Sequence, residues 1–366
     1  MIGNGGRRQL VLSERGQTLL IFVLAMTVLL GFTAMAIDIG MFYEDRRHLQ
    51  NSADAMALAG VQELPINPFA AEQKARDWAA NNGISDSEIQ SIEVQTGLAP
   101  NDTVHVDLER DFNWIFARVL GKTSSPVGAQ AAARTGSLAG GFGAMPWALL
   151  EGDSSCLDGD GNAIFNMDCA VKVGAGSSAI TGWYGALDYD GNGGGSAEYE
   201  SNIVDNETAN SYCVVTEPSP DCDAYAINAL TGNKVGGTGQ GIDARLALEP
   251  TSGCSKDGND IDDFDEVFIP NPGVSPSYLV VCPDSPRLVI IPIVTIDQTP
   301  VQTVTIGGWT LAYLNGYSCV GAQNCSGAKG HWEVSITIVD AVYSQTAGFL
   351  SAFDPTNGIV VRRLIE

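Results

Sequence analysis

Histidine is scarce in this chain, which has His48, His105 and His331 and no others. No GxSxG, HExxH or phosphate-loop pattern accompanies them. A nucleophile without a positioned base is poorly activated, so neither an envelope hydrolase nor any other enzyme is expected. Asp153-Ser154-Ser155 approaches an adhesion-type DxSxS pattern, but Leu157 stands where its second serine belongs. Positive charge is also scarce: 19 Lys and Arg face 43 Asp and Glu, a net charge of −24. Nucleic-acid binding needs a basic footprint and is excluded on that ground. Cysteine is missing from the whole region before Cys156, and no CxxC occurs anywhere. A zinc ribbon or a thioredoxin-like redox site is therefore not expected.

Charge is absent altogether from residues 18–37, TLLIFVLAMTVLLGFTAMAI. At 1.5 Å rise per residue this run reaches about 30 Å, the thickness of a bilayer's hydrocarbon core. Arg7, Arg8 and Arg15 precede it and Asp38, Glu44 and Asp45 follow. That asymmetry predicts a single span of the cytoplasmic (inner) membrane, with residues 1–17 a cytoplasmic tail and 38–366 extracytoplasmic. A cleaved signal peptide is the alternative, since Ala34-Met35-Ala36 has the small-x-small form of a cleavage site. The apolar run exceeds the roughly 7–15 residues of a signal core, and the helical pattern continues past the cut, so a retained anchor is expected.

The eight cysteines are Cys156, Cys169, Cys213, Cys222, Cys254, Cys282, Cys319 and Cys325. An even number in an exported region reads as a disulfide framework. Pairing between sequence neighbours is expected: 156–169, 213–222, 254–282 and 319–325.

One long helix is predicted over residues 16–64, apolar first and amphipathic later. Phe42, Leu49 and Met56 recur at seven-residue spacing, with Ala53, Ala57 and Gly60 in the same seam. These positions are the predicted helix-packing residues, either within the chain or towards another subunit. The order Glu14-Arg15-Gly16-Gln17-Thr18, the apolar run, Ala36-Ile37-Asp38-Ile39-Gly40, then Gln50-Asn51-Ser52-Ala53-Asp54-Ala55-Met56-Ala57-Leu58-Ala59-Gly60 resembles the N-terminal region of the TadE/TadG-like family of Flp (Tad) pilus-assembly proteins. The resemblance implies partners among other pilus or pseudopilus subunits, contacted through the N-terminal helix. Type IV-like prepilins carry an acidic residue five positions after the processed glycine, and counting from Gly16 that position is Ile21. An uncleaved, TadG-like subunit is therefore expected.

The fold class expected is α+β. A small pilin-like α/β domain (38–135, including the helix continuation) should contain a helix at 69–82, strands at 89–95 and 103–109, a short helix at 112–120 capped by Asp111, and a strand at 125–134. The pilin plan of a long helix with a sheet packed on it accommodates this order. Residues 136–143, GSLAGGFG, read as a linker. Residues 144–366 read as a disulfide-containing, mainly antiparallel β domain with strands at 278–282, 287–297, 301–314, 331–343 and 359–364.

Two segments invite a metal reading. Asp188-Tyr189-Asp190-Gly191-Asn192-Gly193 fits the first half of a calcium loop, although Tyr199 stands where the closing glutamate belongs. Asp158, Asp160 and Asn162 repeat the spacing, and a third acidic cluster runs from Asp257 to Glu266. Calcium is the one candidate cofactor, and solvated, Asx-turn-rich loops are the other reading. Trp183, Tyr184, Tyr189, Tyr199, Trp309, Tyr313, Tyr317 and Trp332 are either a surface or glycan-binding platform or sheet core. The sequence thus predicts a membrane-anchored pilus-assembly or minor-pilin-like structural subunit. The alternative is a membrane-tethered calcium- or glycan-binding, adhesin-like surface protein outside any pilus.

Overall fold

The computed structural model describes residues 17–141, 143–172, 180, 182–189, 195–205, 212–214, 222–232, 234–271, 276–319, 332–343, 349–353 and 359–365. It opens with α1 (Gln17–Gly60), a helix of 44 residues that ends in a 3-10 turn at Val61–Glu63. Such a helix is about 66 Å long at 1.5 Å per residue. Nothing in its sequence stops it earlier, because the first proline after it is Pro65. The second helix, α2 (Pro68–Asn81), starts where Asn67 accepts the Ala70 N–H at 3.1 Å with proline in the first turn. It stops at Gly83, whose φ of 73° suits glycine.

Three antiparallel strands follow: β1 (Ile89–Gln95), β2 (Thr103–Asn113) and β3 (Ser124–Gly141). Two expectations fail here. The helix expected at 112–120 is largely strand and loop, because Phe112 and Asn113 pair with Ser125 and Ser124. Only Ala117–Leu120 forms a 3-10 turn, closed by Gly121 at φ 89°. The linker expected at 136–143 is strand as far as Gly141. The glycines there let neighbouring backbone approach closely. A Cβ on Gly136 would lie 2.5 Å from the Ser351 carbonyl oxygen, and one on Gly140 would meet Cys213 and the Tyr212 carbonyl.

The remaining elements are β4 (Leu149–Leu150), β5 (Asp168–Lys172), β6 (Leu187–Asp188), α3 (Ser196–Asp205), β7 (Tyr212–Cys213), β8 (Ala226–Ala229) and α4 (Val235–Leu246). After them come α5 (Phe264–Val267), β9 (Phe268–Pro270), β10 (Tyr278–Val280), β11 (Leu288–Thr295), β12 (Thr303–Cys319), β13 (Trp332–Val339), β14 (Ala341–Val342), β15 (Phe349–Ser351) and β16 (Ile359–Leu364). One sheet runs β1-β2-β3-β16-β14-β10-β9, with β7 and β15 also pairing β3. The other runs β4-β11-β12-β13-β5, with β8 on β12 and β6 on β8. Pairing is mainly antiparallel; β10–β14, β14–β16 and β4–β11 are parallel.

Three cores follow from the layering. Leu49, Ala53, Met56 and Ala57 of α1 pack with Ala71 and Ala75 of α2 on Val104, Val106 and Leu108 of β2. Leu138 and Ile359 of the first sheet meet Val304, Trp309 and Leu311 of the second in a sandwich. On the far face of the second sheet, Val289, Ile291 and Ile293 pack against Tyr199 and Ile203 of α3 and Ile242 of α4. Strand β11 is therefore buried on both sides, which explains its unbroken apolar run. The α3–α4 pair is legible only afterwards, because α4 holds Gly236, Gly237, Gly239 and Gly241 and reads as a poor helix. Its glycines allow contact: a Cβ on Gly241 would sit 2.9 Å from Ile203 Cβ, and one on Gly237 would sit 2.7 Å from Ser196 Oγ.

Candidate membrane-proximal site

The two halves of α1 live in different surroundings. None of its most apolar stretch is buried in the protein, and Leu19, Leu20, Phe22 and Phe32 are all more than 60 % exposed. From Asp38 onward the helix is drawn into the domain. Asp38 is 2 % exposed and accepts the backbone N–H groups of Ile115 at 3.1 Å, Phe116 at 3.0 Å and Ala117 at 2.7 Å. A carboxylate on three N–H donors makes strong, charge-assisted bonds. It clamps the β2–β3 loop to the helix where the apolar run ends. One turn further, Phe42 stacks on Trp114 with ring centroids 5.4 Å apart and meets Phe112 edge-on at 5.5 Å. Trp114 Nε1 donates to Ser125 Oγ at 2.8 Å, which fixes the other side of the loop.

The seam predicted from heptad spacing lies inside this chain. Leu49, Ala53, Met56 and Ala57 are fully buried, Gly60 is buried, and Phe42 is half-buried in the aromatic cluster. The chain's own α2, β2 and β3 occupy that face. A Cβ on Gly60 would meet the Ala71 carbonyl oxygen at 2.9 Å. Gln50 Nε2 donates to the Gln130 carbonyl at 2.8 Å and to Asp54 Oδ1 at 2.9 Å, tying the helix to β3. The Gln50–Gly60 run therefore does folding work in this chain. Arg110 sits between Asp45 at 3.5 Å and Glu88 at 3.4 Å, and its Nη2 lies 3.2 Å from His48 Nδ1.

The candidate cation ligands fall in three separate stretches of the chain. The Asp158 Oδ1 atom accepts the N–H groups of Asp160 and Asn162, both at 2.9 Å, and its Oδ2 accepts Asn162 Nδ2 at 3.2 Å. Those hydrogen bonds from Asn162 hold its carboxyl below the usual carboxylate range. Asp158 thus serves as the internal cap of an Asx-rich turn. Asp188 is buried on β6, while Asp190 and Asn192 lie outside the described residues. In the third cluster, oxygens of Asp257, Asp263 and Glu266 lie within 4.8 Å of one another. Local donors already engage them: Asn259 Nδ2 reaches Asp257 at 2.9 Å and Asp263 at 2.6 Å, and Glu266 accepts the Asp257 N–H at 3.2 Å.

Among the described residues three disulfides are formed, Cys156–Cys169, Cys213–Cys222 and Cys254–Cys282, with Cα separations of 5.4, 5.8 and 5.7 Å. Cys325 lies outside the described residues, so the 319–325 pair does too. Five of the eight aromatics take the sheet-core fate. Trp183, Tyr189, Tyr199, Trp309 and Tyr313 are at most 7 % exposed and belong to the cores. Tyr184, Tyr317 and Trp332 are half-buried. Their hydrogen bonds suit that fate: Trp147 Nε1 donates to the Tyr199 hydroxyl at 2.7 Å and Trp183 Nε1 to the Ala186 carbonyl at 2.7 Å. His105 lies within β2, and His331 is outside the described residues.

What sequence reasoning missed is the role of Asp38 and of the loop that it holds. The signal was the first charge after the apolar run, set opposite an apolar Ile115-Phe116 pair that looked like helix. Comparison with known proteins bears on the same stretch. A family model described as putative Flp pilus-assembly TadE/G-like matches residues 16–63. No curated protein and no solved structure matches the chain. The matched stretch contains the uncovered apolar run, Asp38 and the buried seam. Residues 16–63 thus match the TadE/G-like Flp pilus-assembly model, and the same stretch carries an uncovered helix long and apolar enough to cross a membrane.

Proposed function

We propose that this chain is an uncleaved, TadG-like structural subunit of a Tad/Flp-type pilus system. It is held N-in in the cytoplasmic membrane, with residues 38–366 outside. The observation that carries the reading is the division of α1. One continuous helix has a first half that nothing in the described protein covers and a second half sealed into a β-rich domain. Such a rod transmits the position of a membrane anchor to a rigid external domain without any catalytic group. Arg7, Arg8 and Arg15 ahead of the run support the N-in orientation. Disulfides confined to the region beyond the helix support an oxidising compartment for it. Because the Leu49–Gly60 seam is filled internally, contacts with other pilus subunits fall to the apolar half of α1 and to the external surface.

The test is intact mass and N-terminal sequencing of the native protein from membranes and from sheared surface material, with co-purification of pilus subunits. A full-length chain that stays with membranes and brings down pilus components is the expected result. A chain cut near Gly16 and enriched in the sheared fraction makes it a filament subunit instead. A cut after Ala36 removes the anchor and overturns the proposal. Full-length chain without any pilus component favours a tethered surface protein.

A further inference from the structure

The loop that Asp38 clamps has an unusual surface. It joins β2 to β3 and turns back along α1. Val119 is 88 % exposed, Leu120 83 %, Ile115 50 % and Phe116 42 %. Four large apolar side chains in one short turn is an expensive surface to leave in water. Between the loop and the helix lies a groove of about 510 Å³. Its loop wall is Phe116, Val119 and Leu120, and its helix wall is Gly31, Ala34, Met35 and Ile39.

The helix wall decides what fills the groove. Gly31, Ala34 and Met35 belong to the uncharged run, so they lie within the bilayer if that run spans it. At 1.5 Å per residue, Gly31 sits about 10 Å deeper than Asp38. A water-soluble partner cannot reach that depth, whereas the acyl chains of the outer leaflet are already there. The loop also carries the side chains that suit such a place. Arg118 and Lys122 are exposed and flank the apolar tip, where long basic side chains reach lipid phosphates while their neighbours stay in hydrocarbon. With a net charge of −24 the chain offers no broad attraction to an anionic surface, so the contact is local. Trp114, at the root of the loop, also lines the groove and stacks on Phe42 just beyond the end of the apolar run, where tryptophan would suit a membrane interface if that run spans the bilayer.

We infer that the β2–β3 loop is a second membrane anchor: Ile115, Phe116, Val119 and Leu120 insert into the outer leaflet, an acyl chain occupies the groove against Gly31–Met35, and Arg118 and Lys122 meet the phosphates. The inference rests on the membrane-spanning reading of α1. Together the two anchors fix the rotation of the external domain about α1, which a single helix would leave free in the bilayer.

The experiment is photocrosslinking of the full-length chain in vesicles of phosphatidylcholine and phosphatidylglycerol. A benzoylphenylalanine replaces Val119, or Leu20 within the apolar run, or Leu98 in the β1–β2 loop at the other end of β2. Leu20 and Leu98 are 63 % and 50 % exposed, so each probe is free to react. The expected result is phospholipid adducts at positions 20 and 119, with at least a tenfold lower yield at 98. Adducts at 20 but none at 119 overturn the inference and leave the anchor intact. Crosslinks from 119 to a protein, whether another membrane helix or a second copy, overturn it as well. No lipid adduct at 20 removes the anchor itself and the inference with it.

Discussion

Single carboxylates organise much of this protein's local structure. Asp102 is fully buried between β1 and β2 and accepts the N–H groups of Gly97 and Leu98 at 2.7 Å and of Ala99 at 2.8 Å, with the Thr103 hydroxyl at 2.7 Å. Burial alone would raise its pKa; the donors from Ala99, Thr103, Gly97 and Leu98 outweigh that and hold it below the ordinary value. A depressed folded-state pKa contributes stability that is present above the ordinary aspartate range and is lost as pH falls through the folded value. Asp102→Asn should therefore cost about 2 kcal/mol at neutral pH. The gap from the parent protein should close as pH drops below about 4. Urea unfolding of the full chain in detergent at both pH values checks this, and a gap independent of pH would refute it. For Asp158, whose oxygens already serve its own turn, added millimolar calcium should leave the melting temperature unchanged. A calcium-dependent rise abolished by Asp158→Ala would instead support the metal reading at that loop.

At the scale of elements, α1 is one helix with two solvents. Its apolar half contributes nothing to the domain's core, whereas Leu49 lies at 0 % exposure among α2 and β2 side chains. Leu49→Ala should cost about 2–5 kcal/mol, and Leu20→Ala, at 63 % exposure, should change domain stability by less than about 0.5 kcal/mol. Equal effects in denaturant titrations would mean that the first half is also packed on the domain. Strand β3 shows how far an element can outrun its composition. Its last third is Gly- and Ser-rich and reads as a linker, yet it pairs with β16, β15 and β7. Pairing partners distant in sequence supply the hydrogen bonds that local propensity does not favour.

Across the whole molecule, β3 and β16 join what composition divides. Residues 133–137 of β3 pair with 360–364 of β16, and Arg362 Nη2 reaches back to the Gln62 carbonyl at 3.0 Å. The region beyond residue 144 therefore shares a sheet with the domain that carries the anchor. Motion of one is resisted by the backbone ladder of the other. Within that region short loops are stapled, and Cys254–Cys282 closes the longest of the three described, with a separation of 28. Cys254→Ala with Cys282→Ala should lower stability by about 3 kcal/mol, read as a lower unfolding midpoint under non-reducing conditions. Reductant should then have a smaller effect on the double variant than on the parent. An undiminished effect would assign the redox sensitivity to the other bridges.

Length, hydropathy and charge order determined the apolar run, the continuous helix and its seam, because a helix registers its periodicity in neighbouring residues. The strands at 89–95 and 359–364 were legible for the same local reason, as they are apolar and β-branched between turns. Tertiary structure alone decided which side of the seam meets protein, since burial of Leu49 and Met56 depends on α2, β2 and β3 arriving there. It alone turned the helix expected at 112–120 into strand end, loop and 3-10 turn, through Phe42 stacking on Trp114 and Asp38 accepting from residues 115–117. It also committed most of those aromatics to the cores and gave Asp158, Asp257 and Glu266 hydrogen-bond donors from their own loops. Those outcomes are set by contacts between residues tens to hundreds of positions apart, and no local pattern encodes them.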